Sequence, residues 1–194
     1  HNGIDTDGVF YPREISQLIQ KHQLNNKKII LSVAPDIMDE RKGGEWVLQL
    51  ASLFPEEYVF ILVGVKDTNR NFPKNVIALQ RTDNQHQLAE YYSLADLFVI
   101  CSKRENLPTT CLESLACGTP VIGFDEGGTK ETAPGKLGYF VPYGDLQGLK
   151  NAVYSYFNKE FDLSDSDGCV KYAREHYSKH VMFENYYKLY QANF

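Results

Sequence analysis

The chain has 194 residues, 43% of them hydrophobic and 13% aromatic, which suffices for one well-buried domain and falls short of two of ordinary size. Its formal charge of -5, from 25 acidic and 20 basic residues, gives no electrostatic reason to expect nucleic acid as a partner, so any anion site is local. No apolar run approaches the roughly 20 residues that span a bilayer, and no signal-peptide pattern opens the chain, so a soluble, cytoplasmic protein is expected.

The sequence starts His1-Asn2-Gly3-Ile4-Asp5 rather than with Met, as expected of a piece cut from something longer. Residues 1–12 are turn-rich and read as a linker from a preceding N-terminal domain, followed by a helical stretch over 13–22. Short apolar runs rich in β-branched residues then recur at 29–33, 58–63, 76–79, 97–101, 121–124 and 139–141, the signature of buried strands. Helical patterns fall between most of them, at 44–53, 85–94 and 109–117, with another at 145–158. This alternation predicts an α/β fold: a doubly wound, mostly parallel six-stranded Rossmann-like sheet with C-terminal helices. The domain is placed at 13–168. A helical extension at 169–194 follows, its aromatic residues between Tyr172 and Tyr190 expected to serve as core or as an interface.

In the strand order 3-2-1-4-5-6, the first and fourth strands are neighbours at a topological switch point, and ligands bind outside their C-terminal ends. The loops leaving those strands, 34–44 and 102–108, carry the most polar clusters in this part of the chain. Pro108 before 109–117 and Gly118 after it frame a short helix whose first N–H groups suit a phosphate. Glu113 falls roughly 7 Å along that helix, at ~1.5 Å per residue, and Glu105 lies in the loop before it. Two carboxylates so placed can bracket a diphosphate and accept hydrogen bonds from ribose and sugar hydroxyls. Taken alone, however, the pair reads first as Glu113 complementing a helix N-terminus while Glu105 sits in solvent; its context at the crevice mouth shifts the reading to a site.

Arg41 and Lys42, followed by two glycines, put two cations beside the same crevice, either as a diphosphate clamp or as a solvated cluster near Asp39 and Glu40. After the fifth strand, the pair Gly127-Gly128 lets a backbone come close to a ligand. From Gly123 to Gly128 the spacing approaches a phosphate-binding loop, but Thr129 stands where lysine is required, so an ATPase is rejected. No G-x-G-x-x-G follows the first strand, which argues against a nicotinamide cofactor. The strings Asp5-Thr6-Asp7 and Asp165-Ser166-Asp167 do not follow buried strands, and the second sits where a helix cap is expected, so no metal is predicted. Cys101, Cys111, Cys117 and Cys169 form no C-x-x-C pair and read as reduced core thiols. None of the five histidines is assigned a catalytic role.

Nearly the whole chain resembles the C-terminal domain of the group-1, or family four, retaining glycosyltransferases of the GT-B plan. The resemblance is carried by Asn2-Gly3-Ile4-Asp5, Lys42-Gly43, Tyr91-Tyr92-Ser93-Leu94-Ala95-Asp96, Glu105-x7-Glu113, Ala116-Cys117-Gly118-Thr119-Pro120-Val121 and Gly127-Gly128-x-x-Glu131, in the family's order. It implies that Lys42 binds the donor diphosphate, that Thr109 and Thr110 offer it backbone donors, and that Glu113 holds the ribose. Glu105 then contacts the transferred sugar, with Lys42 and Glu105 the catalytic pair. Gln80, Arg81 and Thr82 fall near the base, and Arg41 and Leu107 complete the donor site. Asp36 stands where the family carries an arginine, and Arg41 is a candidate to compensate. The implied donor is a nucleotide sugar, a UDP-sugar ahead of a GDP-sugar, with no further cofactor. Transfer is to a glycan or lipid-linked acceptor with retained configuration, the departing phosphate oxygen assisting acceptor deprotonation. The acceptor site, and any peripheral membrane contact, belong to the N-terminal domain. The alternatives are an epimerase or phosphorylase of the same plan, or a non-catalytic nucleotide-binding module.

Overall fold

The computed structural model describes residues 2–192. His1 of the expected linker, and Asn193 and Phe194 of the expected extension, lie outside them. Six parallel strands form one sheet: β1 (Lys28–Val33), β2 (Tyr58–Val63), β3 (Val76–Leu79), β4 (Leu97–Ile100), β5 (Val121–Phe124) and β6 (Gly138–Val141). Their order is β3-β2-β1-β4-β5-β6, the doubly wound order expected from the sequence. All six residues of β2 are buried, because helices cover both faces of the sheet; this is why the run Tyr58–Val63 is apolar without alternation.

The helices are α1 (Ser16–His22), α2 (Gly44–Ser52), α3 (Gln85–Leu94), α4 (Thr109–Ala116), α5 (Thr129–Thr132), α6 (Leu146–Phe157), α7 (Ser166–Tyr177) and α8 (Lys179–Ala192). Helices α1, α3, α4 and α7 build one core layer around Leu31, Ile61, Phe98 and Leu115. Helices α2 and α6 build the other, around Phe60, Leu62, Leu97 and Phe124. Each such side chain, fully withdrawn from water, contributes roughly 1.5–3 kcal/mol before ordering costs.

Helix α1 starts at Ser16, three residues later than the pattern at 13–22 predicts. There Glu14 accepts hydrogen bonds from the backbone N–H groups of Ile15 and Ser16. The helical α5 and a 3-10 turn at Gly135–Leu137 lie where the sequence pattern marks no element. The expected boundary at residue 169 falls inside α7, whose Cys169, Ala173 and Tyr177 enter the core. Both D-x-D strings serve the fold. Asp165 caps α7 by accepting from the Gly168 N–H. Asp5 accepts from the Gly8 N–H and pairs with Lys179 at 2.7 Å, tying the entering segment to α8. Next to this pair, the Ile4 N–H donates to the Tyr177 carbonyl, and the Lys179 N–H donates to that of Ile4. Among the described residues, no helix is long and apolar enough to cross a membrane.

Candidate functional site

Parallel strands end at one edge, and between β1 and β4 the chain leaves in opposite directions, opening a crevice. The loop 34–43 after β1 and the loop 101–108 after β4 line it from either side. They are joined by backbone: the Lys103 N–H donates to the Arg41 carbonyl at 2.8 Å. Gly43, at φ +75°, lies so close to the Cys101 carbonyl that a Cβ there would collide with it.

A third loop braces the second. The Gly128 N–H donates to the Glu105 carbonyl at 2.9 Å. A Cβ on Gly127, at φ +57°, would strike the carbonyl oxygen of Glu105, and one on Gly128 that of Asn106. The paired glycines, expected to bring their backbone against a ligand, thus bring it against the backbone carrying Glu105. The reason is steric: only residues without a Cβ fit between the two loops.

Two adjoining hollows occupy the crevice. The larger, about 500 Å³, is lined by Arg81, Thr82, Thr109, Thr110 and Glu113, with Asn84, Gln85 and Leu88 from the start of α3. The smaller, about 210 Å³, holds Lys42, Ser102, Glu105, Leu107, Thr109 and Thr110. Val33, Ala34 and Pro35 floor both. A third hollow of about 490 Å³ continues the groove past Pro35 and Arg81 to Asp36, Lys66 and Gln80. Nine of the ten residues that the resemblance gives to the donor site therefore line this one groove. Arg41 does not. Its guanidinium turns to Asp39 at 3.1 Å, where this hydrogen bond holds the Asp39 carboxyl down to about 2.

The cleft residues are fixed by specific partners. Lys42 Nζ lies 2.7 Å from Glu105 Oε1, and the Glu105 side chain is only 14% exposed, so this pair is shielded from solvent on most sides. Thr109 and Thr110 are the first two residues of α4 after Pro108, so their N–H groups have no intrahelical acceptor and point out of the helix start. Arg81 Nε donates to the Pro35 carbonyl at 3.0 Å, which holds the β3–α3 loop over the floor. Asp36 pairs with Lys66.

Glu113 is mostly buried, and burial pushes its carboxyl above the usual carboxylate range; the hydroxyls of Tyr92 and Thr109 pull it back. Tyr92 Oη donates to Glu113 Oε2 at 2.9 Å. Sequence reasoning gave Tyr92 no role, although a buried tyrosine hydroxyl needs a partner and that need is a usable signal. Asn84, also missed as a lining residue, carried the signal of a helix cap and accepts from the Gln87 N–H at 2.9 Å. The cysteines are all buried. Burial pushes the thiols of Cys111, Cys117 and Cys169 up to about 12, which leaves no thiolate for nucleophilic chemistry at neutral pH.

Comparison with known proteins agrees with this fold. The family model described as "Glycosyl transferases group 1" matches residues 14–176. The N-acetyl-alpha-D-glucosaminyl L-malate synthase of Bacillus anthracis is 27% identical over 173 residues, covering 82% of this chain and 44% of the relative. The alpha-maltose-1-phosphate synthase of Mycolicibacterium smegmatis is 30% identical over 161 residues, 73% of this chain and 41% of the relative. Among solved structures, Anabaena HepE in complex with UDP superposes with a TM-score of 0.84 at 17% identity, over 99% of this chain and 56% of that one. The C-terminal domain of the Francisella tularensis protein LpcC has a TM-score of 0.66 at 18% identity, over 95% of this chain and 98% of that domain. The chain thus spans about half the length of the longer proteins it matches.

Proposed function

Because the chain belongs to the group 1 glycosyl transferases, we propose that it is the donor-binding half of an enzyme that transfers a sugar from a nucleotide diphosphate sugar to a glycan or lipid-linked acceptor. The observation that carries this reading is the single cleft in which Lys42, Glu105, the α4 start and Glu113 line up. HepE, similar in fold, is known in complexes with UDP and with UDP-glucose.

The donor's base lies toward Arg81 and Thr82, and its ribose hydroxyls donate to Glu113. Its diphosphate lies over the N–H groups of Thr109 and Thr110, where the helix dipole favours negative charge. Lys42 exchanges Glu105 for the diphosphate, and the freed Glu105 accepts from hydroxyls of the transferred sugar. As the glycosidic bond to phosphate breaks, charge grows on the departing diphosphate. Lys42 and the helix start, already fixed, stabilise it; this is electrostatic catalysis and does not call on a metal. The anomeric configuration is retained, with the departing phosphate oxygen taking the acceptor's proton. The acceptor and any membrane contact are handled by the other half of the longer protein. The donor is a UDP-sugar, with a GDP-sugar the alternative.

Alone, this chain binds donor nucleotide and transfers nothing; turnover by the isolated 194 residues would overturn that statement. Titration calorimetry with UDP, GDP and their sugars tests the binding. Lys42→Ala is expected to weaken a nucleoside diphosphate strongly and the bare nucleoside little. Arg41→Ala, whose side chain is turned to Asp39, is expected to matter less than Lys42→Ala.

A further inference from the structure

We infer that Tyr92 is a positioning residue for the donor ribose, acting through its hydrogen bond to Glu113; the inference rests on the donor-site reading above. Its side chain is fully buried. Phe10 and Phe98 hold its ring edge-on, with centroids 6.3 and 5.6 Å away. Its backbone is held too. Thr119 Oγ1 donates to the Tyr92 carbonyl at 2.6 Å, and Ser114, on α4 beside Glu113, donates its hydroxyl to the Thr119 carbonyl at 2.8 Å. One connected set of bonds therefore fixes α3 against α4 and sets where the Tyr92 hydroxyl points.

Its target is Glu113 Oε2, from behind, while Glu113 also lines the cleft. With one oxygen engaged by Tyr92, the carboxylate cannot rotate freely, and its remaining acceptor capacity is turned to the ligand. Burial and the nearby Glu113 charge hold the Tyr92 phenol well above its usual range, so it stays protonated and remains a donor. A hydrogen bond to a charged group also favours the ionised Glu113, the form that accepts from two neutral ribose hydroxyls. Other titratable groups packed about α4 are Cys111 on α4 itself, Cys117 just past its end, and Cys169 and Tyr177 from α7, all raised by burial and so neutral; α3 adds Tyr91, also raised by burial, with a half-buried Glu90 and an exposed His86. Lys42, Glu105 and Arg81 line the cleft around Glu113, β4 and β5 bring no titratable group, and Lys130 and Glu131 of α5 are exposed.

A purely structural tyrosine would affect every ligand alike; a positioning one affects only ligands with ribose hydroxyls. The test measures UDP and GDP against their 2′,3′-dideoxy forms by calorimetry, for the parent and for Tyr92→Phe, across pH 5–9. Expected is a loss of about tenfold in affinity for the ribonucleotide that binds, no change for its dideoxy form, and an acid limb of binding displaced to higher pH. Equal losses for both forms, or no loss, would overturn the inference. If the parent itself binds both forms equally, the ribose role of Glu113 fails instead. Should Tyr92→Phe not fold, 3-fluorotyrosine at position 92 keeps the shape and strengthens the donor. It should displace the acid limb to lower pH, and an unmoved limb would count against Tyr92.

Discussion

Residues 101–108 and helix α8 differ in a way that regular structure alone would not suggest. The first is a loop without helix or strand, yet it is bonded on both sides: its Lys103 N–H donates to the loop after β1, and its Glu105 carbonyl accepts from Gly128 in the loop after β5. The second is the longest helix, 14 residues, and exposes Phe183, Tyr186, Tyr187, Leu189 and Tyr190. Order in a loop comes from close backbone approach, which small residues permit; a helix can be regular and still be lightly packed. The proposed donor site draws on the first kind of order, which holds the Glu105 backbone against two neighbouring loops.

The largest effect should come from breaking the grip on the loop. Gly128→Ala forces a Cβ onto the Asn106 carbonyl. It should cost about 3 kcal/mol of stability and most nucleotide affinity, read by thermal melting and calorimetry. Next, Lys42→Ala leaves Glu105 shielded and without its cation. Affinity for a nucleoside diphosphate should fall about ten- to a hundredfold, as expected for losing a charge-assisted bond.

Glu113→Gln separates binding from stability. Burial raises the folded-state carboxyl of Glu113 above its ordinary value of 4.5, so the folded chain holds that proton more tightly than the unfolded one. The parent then loses stability as pH rises from about that value through the raised one, and loses no more above it. Glutamine lacks this penalty. The variant's melting temperature should rise relative to the parent across that window and stay higher at neutral pH, while ribonucleotide binding weakens. A parent and variant whose difference ignores pH would contradict the assignment. The smallest effect belongs to α8: Tyr186→Ala, on a side chain more than half exposed, should change stability by no more than about 0.5 kcal/mol.

Much of this was legible in the sequence. Six apolar runs flanked by turn residues gave the strands, and the switch-point rule gave the cleft, because burial on both faces of a parallel sheet leaves a plain mark. Lys42, Glu105 and Glu113 could be placed because they flank strand ends and a framed helix. Arg41 shows where such inference stops. It adjoins Lys42 in the chain, but Asp39, two residues earlier, captures its guanidinium in a local turn. The glycine pair marked a close approach without saying to what. Tyr92 and Glu113 lie 21 residues apart on two helices, and nothing local in either stretch announces that they meet.

The central claim is that the cleft between β1 and β4 holds a nucleoside diphosphate on Lys42, the α4 start and Glu113. Thermal melting of the parent with UDP and GDP at millimolar concentration tests it most directly, alongside Lys42→Ala and Glu113→Gln. At about a hundred times the dissociation constant, a bound nucleotide stabilises the fold by roughly 2.7 kcal/mol, a rise of several degrees that both variants should shrink. No rise with either nucleotide, or a rise that both variants keep in full, would contradict it.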